Sequence, residues 1–390
     1  MKRLIGIVLL CTIAVLAISL VAFADSDIKI YVNGSEVLSE TPARIESGTT
    51  LVPMRKVLAS LGADVSWNEE TRTAVALKDS VKLEIQPDTG TISKNGELLS
   101  PLVAPYISQG RIIIPVRIIA EAFGFNVEWD GTSSTVSINE SQKLKIHFFD
   151  CGQADSIFVE LPNGKCMLID AGLSEFGEVL VTKIREMGYE KIQYVVATHP
   201  HSDHIGGMVK VLETFEIEKF FMPEKTHTTK TFEKMLTALE KNSCEKEFLK
   251  KGTVLFENEA TCIALAPDER EYSRLNNHSA VLRLEFGDIS ALFSADAEAA
   301  SEVCMVAAGL KLKADILKVG HHGSISSSTE EYIRAVSPEF AVISVGKDNK
   351  YGFPSEVILK QLQNNGITVY RTDIDGDITM MTDGKTIIFE

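Results

Sequence analysis

The sequence predicts an α+β chain in two folded parts: a small domain built from an internal repeat, then a larger domain in which strands alternate with helices. Three observations carry this. Motifs within residues 29–140 recur at a fixed offset of 62 positions. Beyond residue 143, short apolar runs end repeatedly in an Asp, His or Gly turn. The chain has 390 residues, 45% of them hydrophobic, which is enough for two or three domains with cores of their own.

The first residues, Met1-Lys2-Arg3, lead into an apolar run that reaches Val21 and the small-x-small site Ala22-Phe23-Ala24. This reads as a signal peptide over residues 1–24, cleaved after Ala24, with a secreted or cell-surface product and no stable membrane anchor. An uncleaved anchor is the rival, since about 20 apolar residues span a bilayer. Five cysteines remain after cleavage, Cys151, Cys166, Cys244, Cys262 and Cys304. Their number is odd, none has CxxC spacing, and they read as mostly buried free thiols. The net charge of −15 is spread over both parts and argues against tight, non-specific nucleic-acid binding through a basic groove.

Residues 25–140 form the repeat domain. Leu51-Val52-Pro53-Met54-Arg55 matches Ile113-Ile114-Pro115-Val116-Arg117; Gly62 matches Gly124, Trp67 matches Trp129, and Asn33-Gly34 matches Asn95-Gly96. Each unit is expected to be a hairpin turned at Asn-Gly, a strand, a short helix after the proline, and a closing strand pair through the tryptophan. The tryptophans are expected as core anchors, with stacking on a ligand as the alternative. This domain contains no histidine or cysteine. The polar stretch 131–143 marks its boundary.

In the second part, residues 143–390, Leu144–Phe149 alternates as a strand should and is followed by Asp150-Cys151-Gly152-Gln153-Ala154-Asp155. Met167-Leu168-Ile169 ends in Asp170, a helix is expected over roughly 176–187, and Tyr194-Val195-Val196-Ala197 empties into Thr198-His199-Pro200-His201-Ser202-Asp203-His204. Imidazole and carboxylate are ligands for Zn²⁺, Mn²⁺ and Fe²⁺. His199 and His201 can face one position while Asp203 and His204 face another, which suits two ions. Three of the eight histidines within six residues make a chance surface loop a poor explanation. Residues 208–250 read as helices rich in Lys and Glu, with His227 on the surface.

The His-x-His-x-Asp-His run of residues 199–204 resembles the signature of the metallo-β-lactamase-fold hydrolases. Together with Gly152-Gln153 and Asp155, Asn276–Leu284, Ser294-Ala295-Asp296-Ala297, Gly320-His321-His322-Gly323-Ser324 and Asn349–Pro354, it resembles the soluble hydrolase domain of the ComEC/Rec2 competence-protein family over about residues 143–390. Residues 25–140, through the VPxR, Gly and Trp pattern, resemble the copper amine oxidase N-terminal-like stalk domain. The resemblance implies an αββα metallo-β-lactamase sandwich behind an α+β repeat domain.

It also implies a ligand set of two divalent metal ions, zinc or manganese. His199, His201 and His278 would hold one ion; Asp203, His204 and His321 or His322 the other; and Asp296 would bridge them. His321 is expected as the ligand and His322 as proton donor or substrate contact, an order the sequence leaves open. Asp170 would orient the cluster from behind; Asp203, His322 and Asp170 are the residues expected to serve catalysis. Two residues depart from the family pattern: Ala154 replaces a glycine, which predicts a slightly altered loop, and Phe353 replaces a histidine. The activity implied is metal-dependent hydrolysis by a hydroxide held between two ions, acting on phosphodiesters of nucleic acid or of wall polymers such as teichoic acid, with the stalk domain contacting the wall. The alternatives are β-lactam or other ester or amide hydrolysis, and a non-catalytic wall-binding protein with a vestigial metal site; redox chemistry is disfavoured because no flavin-binding domain accompanies it.

Overall fold

The computed structural model describes residues 28–140 and 142–390; the signal-peptide segment lies outside them. The chain divides into two compact units between residues 141 and 142. No described helix is long and apolar enough to cross a membrane.

In the first unit, the strands Thr49–Pro53 and Arg111–Pro115 pair antiparallel at the centre of a four-stranded sheet. Val52 lies opposite Ile114, its own equivalent in the second repeat, and neither exposes surface. The two repeats are therefore related by a local two-fold axis through that pair. Pro53 and Pro115 each stand immediately before a seven-residue helix, Met54–Ser60 and Val116–Ala122, where a missing N–H costs nothing. The Asn33-Gly34 and Asn95-Gly96 turns have positive φ at both residues, the requirement of a tight type I′ hairpin. The interlock is closed by Lys29–Val32, which pairs parallel to Thr135–Glu140, so the first strand completes the second repeat's sheet.

The two tryptophans differ as core anchors: Trp67 packs against the buried cluster of this unit, and Trp129 does not. Trp129 is 40% exposed and Trp67 half-buried. Each stands opposite a buried residue of the neighbouring antiparallel strand, Trp67 across from Ala74 and Trp129 across from Val136, so both rings lie on the inward-facing side of their sheets.

The second unit contains an eight-stranded and a seven-stranded sheet. One apolar cluster, including Phe148, Val159, Val196, Leu282 and Phe293, fills the space between them. A second covers the outer face of the first sheet with the helices Gly177–Glu186, Met208–Thr214 and Lys230–Lys241. A third covers the other sheet with Glu330–Val336 and Glu356–Asn364. This is an αββα sandwich.

Residues 208–250 are not helical throughout. Glu216–Pro223 and Glu245–Leu249 are strands that extend the first sheet in parallel. Their Glu and Lys residues are exposed or half-buried, while Ile217, Phe220 and Phe221 are buried, a pattern a helical reading of the charges obscures. Ala154 is fully buried and has no positive φ; the loop bends at Gly152 instead, so the missing glycine is not required there. All five described cysteines are free, four of them buried.

The fold places the site by parallel register. In the first sheet Ile169 pairs with Val196, so the strands ending at Asp170 and at Thr198 finish side by side. In the second, Phe293 pairs with Lys318, so Asp296 and His321, each three residues on, leave the same sheet edge. The carboxyl ends of both parallel sets converge, the usual location for a ligand in such sheets.

Candidate metal centre

The loop after Val196 enters a short helical turn, Ser202–Ile205, rather than staying extended. That turn is held from below: Ala171 N–H donates to the His204 carbonyl at 2.7 Å and Gly207 N–H to the Gly172 carbonyl at 3.1 Å. Three groups of donor atoms result, of which Asp155, Asp170 and His204 form the innermost and the other two share Asp296. His199, His201 and Asp296 form one; Asp203, His204, Asp296 and His322 form the other. Asp296 faces both, with Oδ2 at 3.6 Å from His199 Nε2 and Oδ1 at 3.3 Å from His204 Nε2.

The group containing His322 fits a cation. His204 Nε2, Asp296 Oδ1 and His322 Nε2 are buried without a hydrogen-bond partner among the described residues. Buried polar atoms left unpaired are costly, so three converging on one point call for an absent partner. Separations from His322 Nε2 are 3.5 Å to Asp203 Oδ2 and 3.8 Å to Asp296 Oδ1, and from His204 Nε2 3.9 Å to Asp203 Oδ2. Donors in a tetrahedron around zinc lie about 3.4 Å apart, given Zn–N bonds of ~2.0–2.1 Å. The cluster is therefore close to the spacing that four first contacts of one ion need.

The charge balance agrees. Burial opposes ionisation of Asp296, but the His204 and His322 rings outweigh it and hold the carboxyl well below the usual range. Burial likewise works against a charged His322, yet Asp155 and Asp296 push its pKa up to about 10. His199 behaves oppositely: burial, reinforced by His204, drives it well below the usual imidazole value and keeps it a neutral donor. A site whose carboxylates call protons onto two buried imidazoles is one where a metal ion would displace those protons.

Behind the donors stands a layer that aims them. Asp170, whose pKa burial raises, receives His204 Nδ1 at 2.7 Å and the Thr198 N–H and hydroxyl at 2.8 and 2.6 Å. His322 Nδ1 donates to the Ser344 carbonyl at 2.9 Å and lies 3.3 Å from Asp155 Oδ1. Fixing Nδ1 in this way leaves Nε2 of both rings free for an ion. His321 and His322 have φ of 48° and 53°, and Asp170 of 59°, the left-handed region that non-glycine residues enter at a cost of order 1–3 kcal/mol.

Several expected site residues lie elsewhere. His278 belongs to none of the donor groups; its Nε2 contacts the Tyr272 backbone at 3.2 and 3.3 Å because the 3-10 turn Leu275–His278 points the ring away. His322, not His321, stands among the donors, since the left-handed backbone at both positions turns the two rings to different sides. His321 sits at the rim: Nδ1 bonds Ser326 Oγ at 3.0 Å, Ser326 donates to Glu298 at 3.2 Å, and Nε2 is 3.7 Å from Asp296. Its ring packs on Phe353, 5.7 Å away. His227, read as surface, is half-buried and packs edge-on against His201 at 5.6 Å.

Two residues of the inner layer were missing from the expected site. Lys318 Nζ bonds Asp155 Oδ2 at 2.8 Å, both side chains being shut off from solvent. The pair is separated by 163 residues, and only the apolar strand around Lys318 hints that its ammonium is inside.

Comparison with known proteins agrees with this architecture. The model of the metallo-beta-lactamase superfamily matches residues 149–347, and that of the copper amine oxidase N-terminal domain residues 31–138. ComE operon protein 3 of Bacillus subtilis is 32% identical over 255 residues, covering 61% of this chain and 33% of that protein. Competence protein ComA of Neisseria gonorrhoeae is 29% identical over 235 residues, covering 58% of this chain and 31% of that protein. The chain thus spans about a third of the length of these relatives. Among solved structures, the metallo-beta-lactamase fold protein YhfI from Bacillus subtilis aligns with a TM-score of 0.43 at 11% identity, over 64% of this chain and 100% of that one. With a family match spanning more than half its residues, and every donor of these groups inside that match, this chain belongs to the metallo-beta-lactamase superfamily, carrying a copper amine oxidase N-terminal domain ahead of it.

Proposed function

We propose that the protein is an exported two-metal phosphodiesterase, with the signal peptide of residues 1–24 removed and the N-terminal domain contacting the cell envelope. The observation that carries this reading is Asp296, whose two oxygens face two separate sets of donors. A pair of divalent ions, zinc by preference for this His and carboxylate set, supplies the Lewis acidity to activate water and offset charge on a phosphoryl group.

The chain's own residues do the rest. His199, His201 and Asp296 would hold one ion, and Asp203, His204, His322 and Asp296 the other. Asp170 fixes the tautomer of His204, and the Ser344 carbonyl together with Asp155 fixes that of His322. His321, anchored through Ser326 and Glu298 at the open rim, is placed to contact substrate or leaving group. Nucleic acid is the phosphodiester favoured by the name of one relative, Competence protein ComA; a wall polymer phosphodiester is the other source of the same bond.

The test is metal analysis of the purified protein, followed by assay on bis-p-nitrophenyl phosphate, single-stranded DNA and nitrocefin. Turnover of the first two that disappears with EDTA and in Asp203→Ala supports the reading. Turnover of nitrocefin alone replaces phosphodiesters with β-lactams, and activity indifferent to EDTA removes the two-metal reading. For export, the mature N-terminus is expected at Asp25.

A further inference from the structure

The N-terminal unit holds two cavities of about 480 and 470 Å³, and they are the same cavity twice. Pro53, Met54, Arg55, Val65 and Trp67 line the first; Pro115, Val116, Arg117, Val127 and Trp129, each 62 residues on, line the second. The only two tryptophans of the chain therefore sit one in each groove. Both rings line their grooves while partly exposed, Trp67 also packing against the core, and large aromatic rings left partly open at equivalent positions mark a surface kept for contact.

The grooves differ in charge. The first carries Arg55, Lys56 and Arg111 against Glu40. At the equivalent positions the second has Arg117, Ile118 and Thr49, and Arg117 is consumed by the Val127 carbonyl at 2.6 Å and Glu121 at 3.5 Å. Arg55 and Lys56 are exposed and, among the described residues, have no ion-pair or side-chain hydrogen-bond partner. In an acidic chain, this is a local cationic site beside a flat ring. The indole is held in place: the Arg72 guanidinium lies over it, 6.0 Å from the ring centroid, and is tied in turn to Asp88.

We propose that the first groove binds an acidic carbohydrate, a pyranose whose apolar C–H face stacks on Trp67 while its carboxylate is held by Arg55 and Lys56. The ring supplies apolar contact at low conformational cost, and the two cations supply charge-assisted hydrogen bonds. A groove of several hundred cubic ångströms is in the range of small-ligand sites. Failure of the hydrolase reading would leave this groove untouched, since none of its lining residues belongs to the metal cluster.

The experiment uses the full mature chain with Trp129→Phe, so that emission reports Trp67 alone. Trigalacturonate is expected to shift that emission saturably. Chitotriose, neutral but with the same ring face, is expected to bind at least about tenfold more weakly, the loss of one good charged contact. Hexaglutamate, charged without a sugar face, is expected to give no shift. Adding Lys56→Ile, the residue the other repeat already tolerates at Ile118, is expected to weaken trigalacturonate about tenfold without lowering the melting temperature. No shift with trigalacturonate up to millimolar concentration overturns the proposal, and so does equal binding of hexaglutamate, which would make the groove a general anion site. Equal binding of chitotriose overturns the role of the cations.

Discussion

Lys318 and Asp155 meet at 2.8 Å in the interior, directly behind His322, with essentially no solvent access to either side chain. Desolvating both charges is expensive, and the pair is tolerated because each satisfies the other. Asp155 also joins the two halves of the site: its N–H donates to the Asp203 carbonyl at 3.1 Å, and its other oxygen faces His322. Lys318→Met should therefore strand a buried carboxylate and cost about 3–5 kcal/mol, read as a fall in the urea midpoint. Combining it with Asp155→Asn should recover part of that loss. A double variant no more stable than Lys318→Met would show that the pair is not what the energy depends on.

The donor groups predict a sharp difference between two histidines. His322→Ala should lower the zinc content of the purified protein, because it removes a donor whose Nε2 faces Asp203 and Asp296. His278→Ala should leave the content unchanged. Asp170→Asn should keep the fold and weaken zinc by about 10–100-fold in competition with a chromophoric chelator, since His204 loses the partner that fixes its tautomer. Equal zinc loss in the His278 and His322 variants would return His278 to the ligand set.

Much of this site is legible in the sequence because strand ends mark it. The apolar runs before Asp170, His199 and Asp296 show where a buried chain must stop and turn polar, and the tight spacing of residues 199–204 restricts what those side chains can do. His278 misleads for a local reason: its neighbours match a strand entry, but a 3-10 turn decides where the ring points. His227 and Lys318 escape for a long-range one, since their meaning depends on His201 and Asp155, which only tertiary packing brings near. In the repeat domain the 62-residue offset specifies the elements, while the exposure of both tryptophans depends on how two copies divide one core.

Acid should act on the second unit through Glu160. Burial opposes its ionisation, but His147 at 2.8 Å and Lys145 at 3.1 Å outweigh it and lower the carboxyl from 4.5 to about 2. A depressed folded-state pKa stabilises fully above the unfolded value and less as the pH falls through the folded one. The contribution is thus present above pH 4.5 and lost between 4.5 and about 2. Urea midpoints measured across that window should fall more steeply for the wild type than for Glu160→Gln. Parallel slopes would remove Glu160 from the acid response.

Gly206 ties the metal loop to the layer behind it. A Cβ there would stand 2.4 Å from Ser174 N, 2.6 Å from Ser202 O and 2.7 Å from Leu173 C, all backbone atoms that cannot yield by a side-chain rotation. Its φ of −59° is ordinary, so the demand is for space and not for glycine's conformational freedom. Gly206→Ala must therefore push the Ser202–Ile205 turn, which carries Asp203 and His204, away from the 170–174 segment that carries Asp170. Overpacking of this kind costs about 1–3 kcal/mol, but a loss of stability alone would not distinguish it from damage elsewhere. Gly188→Ala supplies the comparison: nothing lies within 4 Å of its Cβ, and its φ of +90° makes the substitution destabilising by strain alone. Both variants should melt earlier than the wild type, while only Gly206→Ala should also weaken zinc, because only there does the displaced backbone hold donors. If the two lose zinc affinity equally, the close approach at Gly206 is not what sets the donor geometry.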